Sequence, residues 1–153
     1  MRGYLNNMRR WWLILLVPAL VACGKAPQSG ETSLETHRGQ WVLVNYWAKW
    51  CKPCIKEIPE LNTLDQSRAD VTVLGVNYDG LVGEELLQQL EELKVAFANL
   101  PNDPSAQLGV PRPVVLPTTF ILDPQGTIVS TLVGPQTLET LEQALVDAGA
   151  PAG

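Results

Sequence analysis

The chain has 153 residues, 46% of them hydrophobic, and its formal net charge is −5. This length and composition suit one domain with a packed core and argue against a disordered chain. The acidic charge argues against a nucleic-acid partner, because binding to phosphate groups needs a basic surface.

The N-terminal segment has the pattern of a secretory signal. Three arginines precede a short apolar run, WWLILLVPALVA, at residues 11–22. This run has 12 residues, whereas a helix needs about 20 to cross a bilayer. A positively charged start followed by a short apolar stretch is typical of a cleaved signal, so we assign residues 1–22 to a signal peptide. Met8 is an alternative start of the chain.

The signal ends in LVAC, residues 20–23, which resembles the lipobox of bacterial lipoproteins. The cysteine of a lipobox becomes the lipidated first residue of the mature protein. The alternative is a signal cleaved near small residues that leaves Cys23 as a spare thiol. We expect lipidation, because a lone exposed thiol is a liability in an oxidising compartment. The lipid would anchor the protein to the bacterial membrane, facing the periplasm, and Gly24 is typical of sorting to the outer membrane.

Residues 23–36 are polar and contain Gly, Pro and Ser, which predicts a tether that leads to a folded domain at 37–153. Residues 1–22 hold three of the 11 basic residues and none of the 16 acidic ones, so the formal net charge without them is −8. The mature domain is therefore distinctly acidic.

Apolar patterns within 37–153 alternate between strand and helix. Continuous apolar runs predict buried strands, and apolar residues three or four positions apart predict helix faces. In chain order these are strand 41–46, a helix from about Cys51 with Pro59 inside it, strand 71–77, a helix with Leu86, Leu87, Leu90 and Leu93 on its apolar face, a short strand at 96–100, strand 118–123, a turn at 123–126, strand 127–133 and a last helix over 138–148. The order predicts an α/β domain whose central mixed β-sheet has helices on both faces.

Two of the three cysteines lie in WAKWCKPC, at positions 51 and 54. A structural zinc site usually needs four ligands, and the one histidine, His37, stands apart. A structural disulfide of this spacing would constrain the unfolded chain little. A Cu(I) site is a further alternative because thiolates are soft ligands, but no Met-rich segment accompanies the pair. We favour a redox-active disulfide that works without a metal or another cofactor.

The predicted boundaries place Cys51 at the N-terminus of a helix. Unpaired N–H groups and the helix dipole stabilise a thiolate there and lower its pKa below the free value of about 8.5. Cys54 follows one turn later and is placed to resolve a mixed disulfide that Cys51 forms. Trp50, directly before Cys51, is a candidate substrate contact that also shields the thiols.

These segments resemble a known family. VLVNYWAKWCKPC is similar to the thioredoxin-like superfamily, and CKPCIKEIPELN with LPTTFILD is similar to its extracytoplasmic TlpA/ResA-type branch of thiol-disulfide oxidoreductases. The resemblance covers about residues 37–149 and implies a thioredoxin-like fold. It implies that Cys51 attacks and Cys54 resolves. It also implies that Pro117 forms a cis peptide bond facing the dithiol, where the backbone of Leu116 receives the substrate chain.

The same resemblance singles out Glu57. Thioredoxins themselves carry a buried Asp in the strand before the dithiol, where this chain has Asn45. Proteins of the TlpA/ResA type have a Glu in the following helix instead, which matches Glu57. Burial would raise the pKa of Glu57 towards neutrality and make it a proton acceptor for the resolving thiol. The alternative is a solvated glutamate on the helix surface.

The resemblance implies a membrane-anchored disulfide reductase that receives electrons from a membrane thiol-electron transporter. Its implied substrates are protein disulfides, including those of cytochrome c maturation and periplasmic thiol homeostasis. Two alternatives stay open. One is a tethered copper-binding or assembly module that uses the two cysteines as ligands. The other is a thiol peroxidase on the same fold, although such enzymes typically carry the reactive cysteine in a different loop.

Overall fold

The computed structural model describes residues 32–153. The predicted signal peptide, the predicted lipidation site Cys23 and most of the predicted tether lie outside the described residues. The boundary between tether and domain stays a prediction. Leu34, which falls within the predicted tether, is buried in the same core cluster as Val42.

Within the described residues, five strands and three α-helices follow a short 3-10 helix at Leu34–His37. They are β1 (Trp41–Trp47), α1 (Lys52–Ser67), β2 (Val71–Asn77), α2 (Gly83–Leu93), β3 (Ala98–Asn99), β4 (Thr118–Leu122), β5 (Ile128–Val133) and α3 (Leu138–Asp147). The predicted strands and α-helices are confirmed, with boundaries that differ by a few residues. The turn between β4 and β5 is closed by a hydrogen bond from the Gly126 N–H to the Asp123 carbonyl at 2.8 Å.

The strands form one mixed sheet in the order β3-β2-β1-β4-β5. β1 and β2 are parallel, as are β2 and β3, whereas β4 runs antiparallel to both β1 and β5. The predicted α/β class with a central mixed sheet is confirmed. Because β2 runs parallel to β1 and β4 runs antiparallel to it, the segment after β2 and the segment before β4 both lie near the carboxyl end of β1. The two cysteines follow β1 at this end of the sheet.

The sheet separates two core clusters. Side chains of all three α-helices, among them Ile58, Leu86 and Leu141, pack on one face, which we call the helical face. The opposite face, which we call the loop face, is covered by the 3-10 helix through Leu34 and by segment 100–117 through residues such as Leu108. Helical segments therefore lie on both faces, as predicted, but the α-helices share one face.

The apolar face of α2 differs from its prediction at one position. Leu86 and Leu90 are buried, whereas Leu87 is 39% exposed. Residues four apart lie on one side of a helix, and a residue next to them in sequence points elsewhere. No helix among residues 32–153 has the length and apolar character needed to cross a membrane.

Candidate active site

The two cysteines of the motif form a disulfide where β1 passes into α1, with their sulfurs 2.03 Å apart. Cys51 is the N-cap of α1, and its sulfur accepts a hydrogen bond from the backbone N–H of Cys54 at 3.2 Å. The predicted position of Cys51 at a helix N-terminus is confirmed. After reduction, the same N–H group and the helix dipole favour a thiolate on Cys51.

The two sulfurs differ in access to solvent. Cys51 retains 5% exposure, whereas Cys54 is fully buried. A disulfide that approaches from solvent therefore reaches Cys51 first, and Cys54 acts from inside the molecule. This difference favours Cys51 as the attacking thiol and Cys54 as the resolving one.

Glu57 lies on α1, one turn after Cys54, and is only 1% exposed. The alternative of a solvated surface glutamate is therefore wrong. Its Oε1 accepts a hydrogen bond from Asn45 Nδ2 at 2.6 Å, and its Oε2 accepts one from the backbone N–H of Gln136 at 2.9 Å. Burial raises the pKa of Glu57 to about 7, although both hydrogen bonds favour the charged form. A carboxyl with this pKa can exchange a proton near neutral pH.

Asn45 is the residue of the sheet that donates a hydrogen bond to Glu57. It lies on the central strand β1, opposite Thr119 on β4, and is fully buried. Its Nδ2 donates a second hydrogen bond to Thr119 Oγ1 at 2.9 Å. Its Oδ1 has no hydrogen-bond partner among the described residues. The amide group thus directs its donors to Glu57 and Thr119 and leaves one buried acceptor unbonded.

The Leu116–Pro117 peptide bond is cis, as predicted. The Pro117 carbonyl accepts a hydrogen bond from the Gly134 N–H at 2.9 Å. The Gln136 side chain donates through Nε2 to the Gly134 carbonyl at 2.9 Å, while its backbone N–H bonds to Glu57. Hydrogen bonds through Gly134 and Gln136 therefore link Glu57 to Pro117. Leu116 packs against the core cluster that contains both cysteines.

Trp50 lies on the solvent side of the disulfide and is 62% exposed. Its Nε1 donates a hydrogen bond to Asp79 Oδ1 at 3.0 Å, and its ring stands edge-on to Tyr78 with the ring centroids 6.3 Å apart. Trp47, in contrast, is fully buried and donates through Nε1 to Asn99 Oδ1 at 2.9 Å. Trp50 is thus accessible to a substrate, whereas Trp47 belongs to the core.

A groove of about 450 Å³ opens on the loop face between segment 110–115 and side chains of β4 and β5. Apolar side chains dominate its wall, and two of them are unusually exposed, Val114 at 91% and Val115 at 52%. The segment continues directly into Leu116 and Pro117. The groove therefore extends the surface around the cis peptide bond.

Sequence patterns did not indicate the contributions of Gln136 or Glu60. Gln136 reaches Glu57 through a backbone N–H, which any residue except proline would offer. Glu60 Oε2 accepts a hydrogen bond from the backbone N–H of Leu138 at 2.9 Å and so holds the first turn of α3 against α1. One signal was present, since Glu57 and Glu60 are three residues apart and therefore share a helix face.

Among residues 32–153, no group of three or more His, Cys, Asp and Glu side chains is placed to hold a metal ion. In this part of the chain, a copper site at the dithiol would rest on two thiolates without a further side-chain ligand from these residue types.

Comparisons with known proteins give the relatives of the chain. The AhpC/TSA family matches residues 18–131. The thioredoxin-like protein YneN of Bacillus subtilis is 34% identical, over 76% of this chain and 71% of YneN. The thiol-disulfide oxidoreductase ResA of Geobacillus kaustophilus is 32% identical, over 75% of this chain and 67% of ResA. The crystal structure of a DsbF homologue from Corynebacterium diphtheriae has a TM-score of 0.63 and 25% identity, covering 76% of each chain.

The family match extends over most of the chain and includes the cysteine pair, the following helix and the strand after Pro117. The fold, the Cys51–Cys54 disulfide and the relatives agree on one reaction class. The chain belongs to the AhpC/TSA family and is a thioredoxin-like thiol-disulfide oxidoreductase of the ResA type.

Proposed function

We propose that the protein is a disulfide reductase that acts on protein disulfides outside the cytoplasm, anchored to the membrane by a lipid on Cys23. The observation that carries this proposal is the arrangement of two sulfurs and one acid. Cys51 can be reached from solvent, Cys54 is sealed, and the buried Glu57 one turn further has a pKa of about 7. The resemblance to TlpA/ResA-type proteins supports the reducing direction.

The first step joins the protein to its substrate. The Cys51 thiolate attacks one sulfur of the substrate disulfide, forms a mixed disulfide and releases the other substrate sulfur as a thiolate. The Cys54 N–H and the N-terminus of α1 favour the attacking thiolate. Trp50 and the backbone of Leu116, beside the cis Pro117, hold the substrate chain.

The second step uses Glu57. The Cys54 thiol gives its proton to the ionised Glu57 carboxylate, and the new thiolate attacks the Cys51 sulfur. The mixed disulfide breaks, the second substrate sulfur leaves as a thiolate, and the Cys51–Cys54 disulfide forms, so that two electrons have passed to the substrate. Because only the carboxylate can accept the proton, the rate of this step should rise as the pH rises through about 7.

The oxidised protein must regain two electrons before it can act again. We propose that a membrane thiol-electron transporter supplies them by the reverse exchange, in which protonated Glu57 returns its proton to Cys54. Substrates of matching chemistry are the disulfides of haem-binding cysteines in cytochrome c maturation and misplaced disulfides in periplasmic thiol homeostasis.

The reduction potential of the Cys51–Cys54 pair tests the direction. A Cys23→Ser protein, in which only this pair can react, is equilibrated with glutathione buffers and its free thiols are trapped. We expect a potential well below about −200 mV, which makes the protein a reductant that needs an electron supply. A potential near about −120 mV, as in strong oxidants, would overturn the reductase proposal.

The anchor is tested separately. The intact mass of the membrane-extracted protein should show a diacylglycerol addition on Cys23 and the loss of residues 1–22. The Cys23→Ser variant is the matched control and should leave the membrane fraction without losing its dithiol chemistry. Separation of inner and outer membranes then tests the sorting that Gly24 predicts. An unmodified Cys23 would contradict the anchor but leave the redox proposal intact.

A further inference from the structure

The support of Trp50 comes from a different loop of the molecule. Trp50 precedes the reactive Cys51, donates a hydrogen bond to Asp79 and packs edge-on against the Tyr78 ring. Both partners belong to the segment directly after β2. The orientation of Trp50 therefore depends on where residues 78–79 are held.

Tyr78 is held by a hydrogen bond from its backbone N–H to the Trp47 carbonyl at 2.8 Å and by the segment that leads to the cis peptide bond. The Arg112 guanidinium carbon lies 3.8 Å from the centroid of the Tyr78 ring, and Arg112 Nη2 donates a hydrogen bond to the Tyr78 carbonyl. The Tyr78 hydroxyl donates to the Pro113 carbonyl at 3.0 Å. Three contacts thus join Tyr78 to the two residues 112–113.

Arg112 is itself fixed to the core through Asp103. Arg112 Nε forms an ion pair with Asp103 Oδ2 at 2.8 Å, and Asp103 Oδ1 accepts a hydrogen bond from the Tyr46 hydroxyl at 2.8 Å. Burial opposes ionisation of Asp103, but hydrogen bonds from Ser105 and Tyr46 and the charge of Arg112 hold the pKa of Asp103 below its usual range. Asp103 therefore stays ionised, and Tyr46 connects it to the central strand β1.

We propose that Arg112 is a positioning residue that sets Trp50 and segment 113–117 at the spacing needed to grip a polypeptide on both sides of its disulfide. The inference rests on the proposed function, since it names the residue that gives the same site its preference for polypeptide disulfides. A planar guanidinium can stack on a ring, pair with a carboxylate and donate to a carbonyl at once, which lysine cannot do. Arg112 touches neither sulfur and acts through Tyr78, Pro113 and Trp50.

The test compares two disulfides on the full chain. One is a synthetic peptide with an internal Cys-x-x-Cys-His disulfide, and the other is dithiobis-nitrobenzoate, a small aromatic disulfide that offers little beyond its sulfurs. Single-turnover oxidation of the reduced protein is followed at increasing concentration of each. For Arg112→Gln we expect the half-saturation concentration for the peptide to rise about tenfold, as for a displaced positioning group, with its maximal rate unchanged. The rate with the small disulfide should not change.

Three further variants keep the test decisive. Arg112→Lys should behave like Arg112→Gln, because it keeps the charge but not the planar contacts. Tyr78→Phe loses only the hydroxyl bond to Pro113 and should show a smaller rise, which remains measurable if the Arg112 variants fold poorly. Arg38→Gln is the matched control, since Arg38 lies beside Gly126 at the opposite end of the sheet. It should change neither the half-saturation concentration nor the rate for either disulfide.

Two results would overturn the positioning role and leave the reductase proposal intact. One is an equal loss of reaction rate with both disulfides. The other is an unchanged half-saturation concentration for the peptide in both Arg112→Gln and Tyr78→Phe. A wild-type protein that reduces neither disulfide would instead overturn the proposed function. The two failures are therefore distinguishable in one experiment.

Discussion

The two sides of the Cys51–Cys54 disulfide are built in opposite ways. On the inner side, Glu57, Asn45 and Thr119 are each at most 1% exposed and are bonded in series. On the outer side, Trp50 is 62% exposed and the Arg112 side chain is 43% exposed. Burial shifts the pKa of the inner acid because water cannot solvate its charge, whereas solvent screens charges on the outer side.

In the proposed mechanism, proton transfer and substrate recognition therefore occupy separate parts of one site. The two sides meet at Pro117, which the inner side reaches through Gln136 and Gly134 and the outer side reaches through segment 112–116. Substitutions on the inner side should alter the pH dependence of the reaction rate. Substitutions on the outer side should alter the affinity for the peptide substrate. The predictions below test this separation.

Replacement of a cysteine should have the largest effect on activity. It should also distinguish Cys51, which solvent can reach, from Cys54, which is fully buried. We expect Cys51→Ser to abolish disulfide reduction, because no other thiol of the pair is accessible. We expect Cys54→Ser to stop after the first step and to accumulate a mixed disulfide with the peptide, visible by intact mass under non-reducing conditions. Sustained turnover by Cys54→Ser would refute its role as the resolving thiol.

Replacement of the inner acid should have the next largest effect. We expect Glu57→Gln to slow release of the reduced peptide near neutral pH by about 100-fold, within the range for loss of a general base. In the wild-type protein this rate should rise as pH increases through about 7, and the inflection should be absent from the variant. Glu60→Gln, on the same helix, keeps its acceptor for the Leu138 N–H and should retain the wild-type profile.

The same acid should make stability depend on pH. The pKa of Glu57 is raised from 4.5 to about 7, so folding favours its protonated form. This contribution is fully present below about 4.5 and is lost as pH rises through about 7. Relative to Glu57→Gln, the oxidised wild-type protein should lose about 2.5 kcal/mol of unfolding free energy between about pH 5 and pH 8. Denaturant unfolding of both proteins at the two pH values measures this, and parallel curves would count against a buried ionising acid.

The partners of Glu57 should have smaller effects of a defined sign. Asn45→Leu removes a donor that favours the carboxylate, so the pKa of Glu57 should rise further, by about one unit. Thr119→Val removes the hydroxyl that accepts a hydrogen bond from Asn45 and should raise the pKa of Glu57 less. Thr118→Val is the control, because the Thr118 hydroxyl bonds to the Val115 carbonyl and not to Asn45. The pH–rate profiles of the three variants give the order, and a lowered pKa in Asn45→Leu would contradict the geometry.

The sequence predicted the strands, the helices and the dithiol because these depend on local patterns. Buried strands such as 71–77 are continuous apolar runs, and Cys51 at a helix start follows from its neighbours. The sequence did not predict that the α-helices share one face, since an apolar stripe does not say which side of the sheet it covers. Prolines at 101, 104, 111 and 113 offer a reason, because a helix interior does not tolerate them and segment 100–117 covers the loop face instead.

The polar contacts of the site were harder to predict because they join distant positions. Glu57 and Pro117 came from resemblance to a family, not from spacing. Asn45 meets Thr119 only through the register of β1 and β4, and the site receives Gln136 through its backbone. The stacking of Arg112 on Tyr78 depends on the path of an irregular segment, which no periodic pattern specifies.

The measurement that tests the inner side most directly is the titration of the Glu57 carboxyl in the oxidised protein. Carboxyl carbon signals of glutamate-labelled protein are followed by NMR against pH, and the Glu57→Gln spectrum assigns the signal. We predict a midpoint at about pH 7, well above the ordinary value of 4.5. A midpoint near 4.5, the ordinary value for glutamate, would contradict the role of Glu57 as the proton acceptor of Cys54.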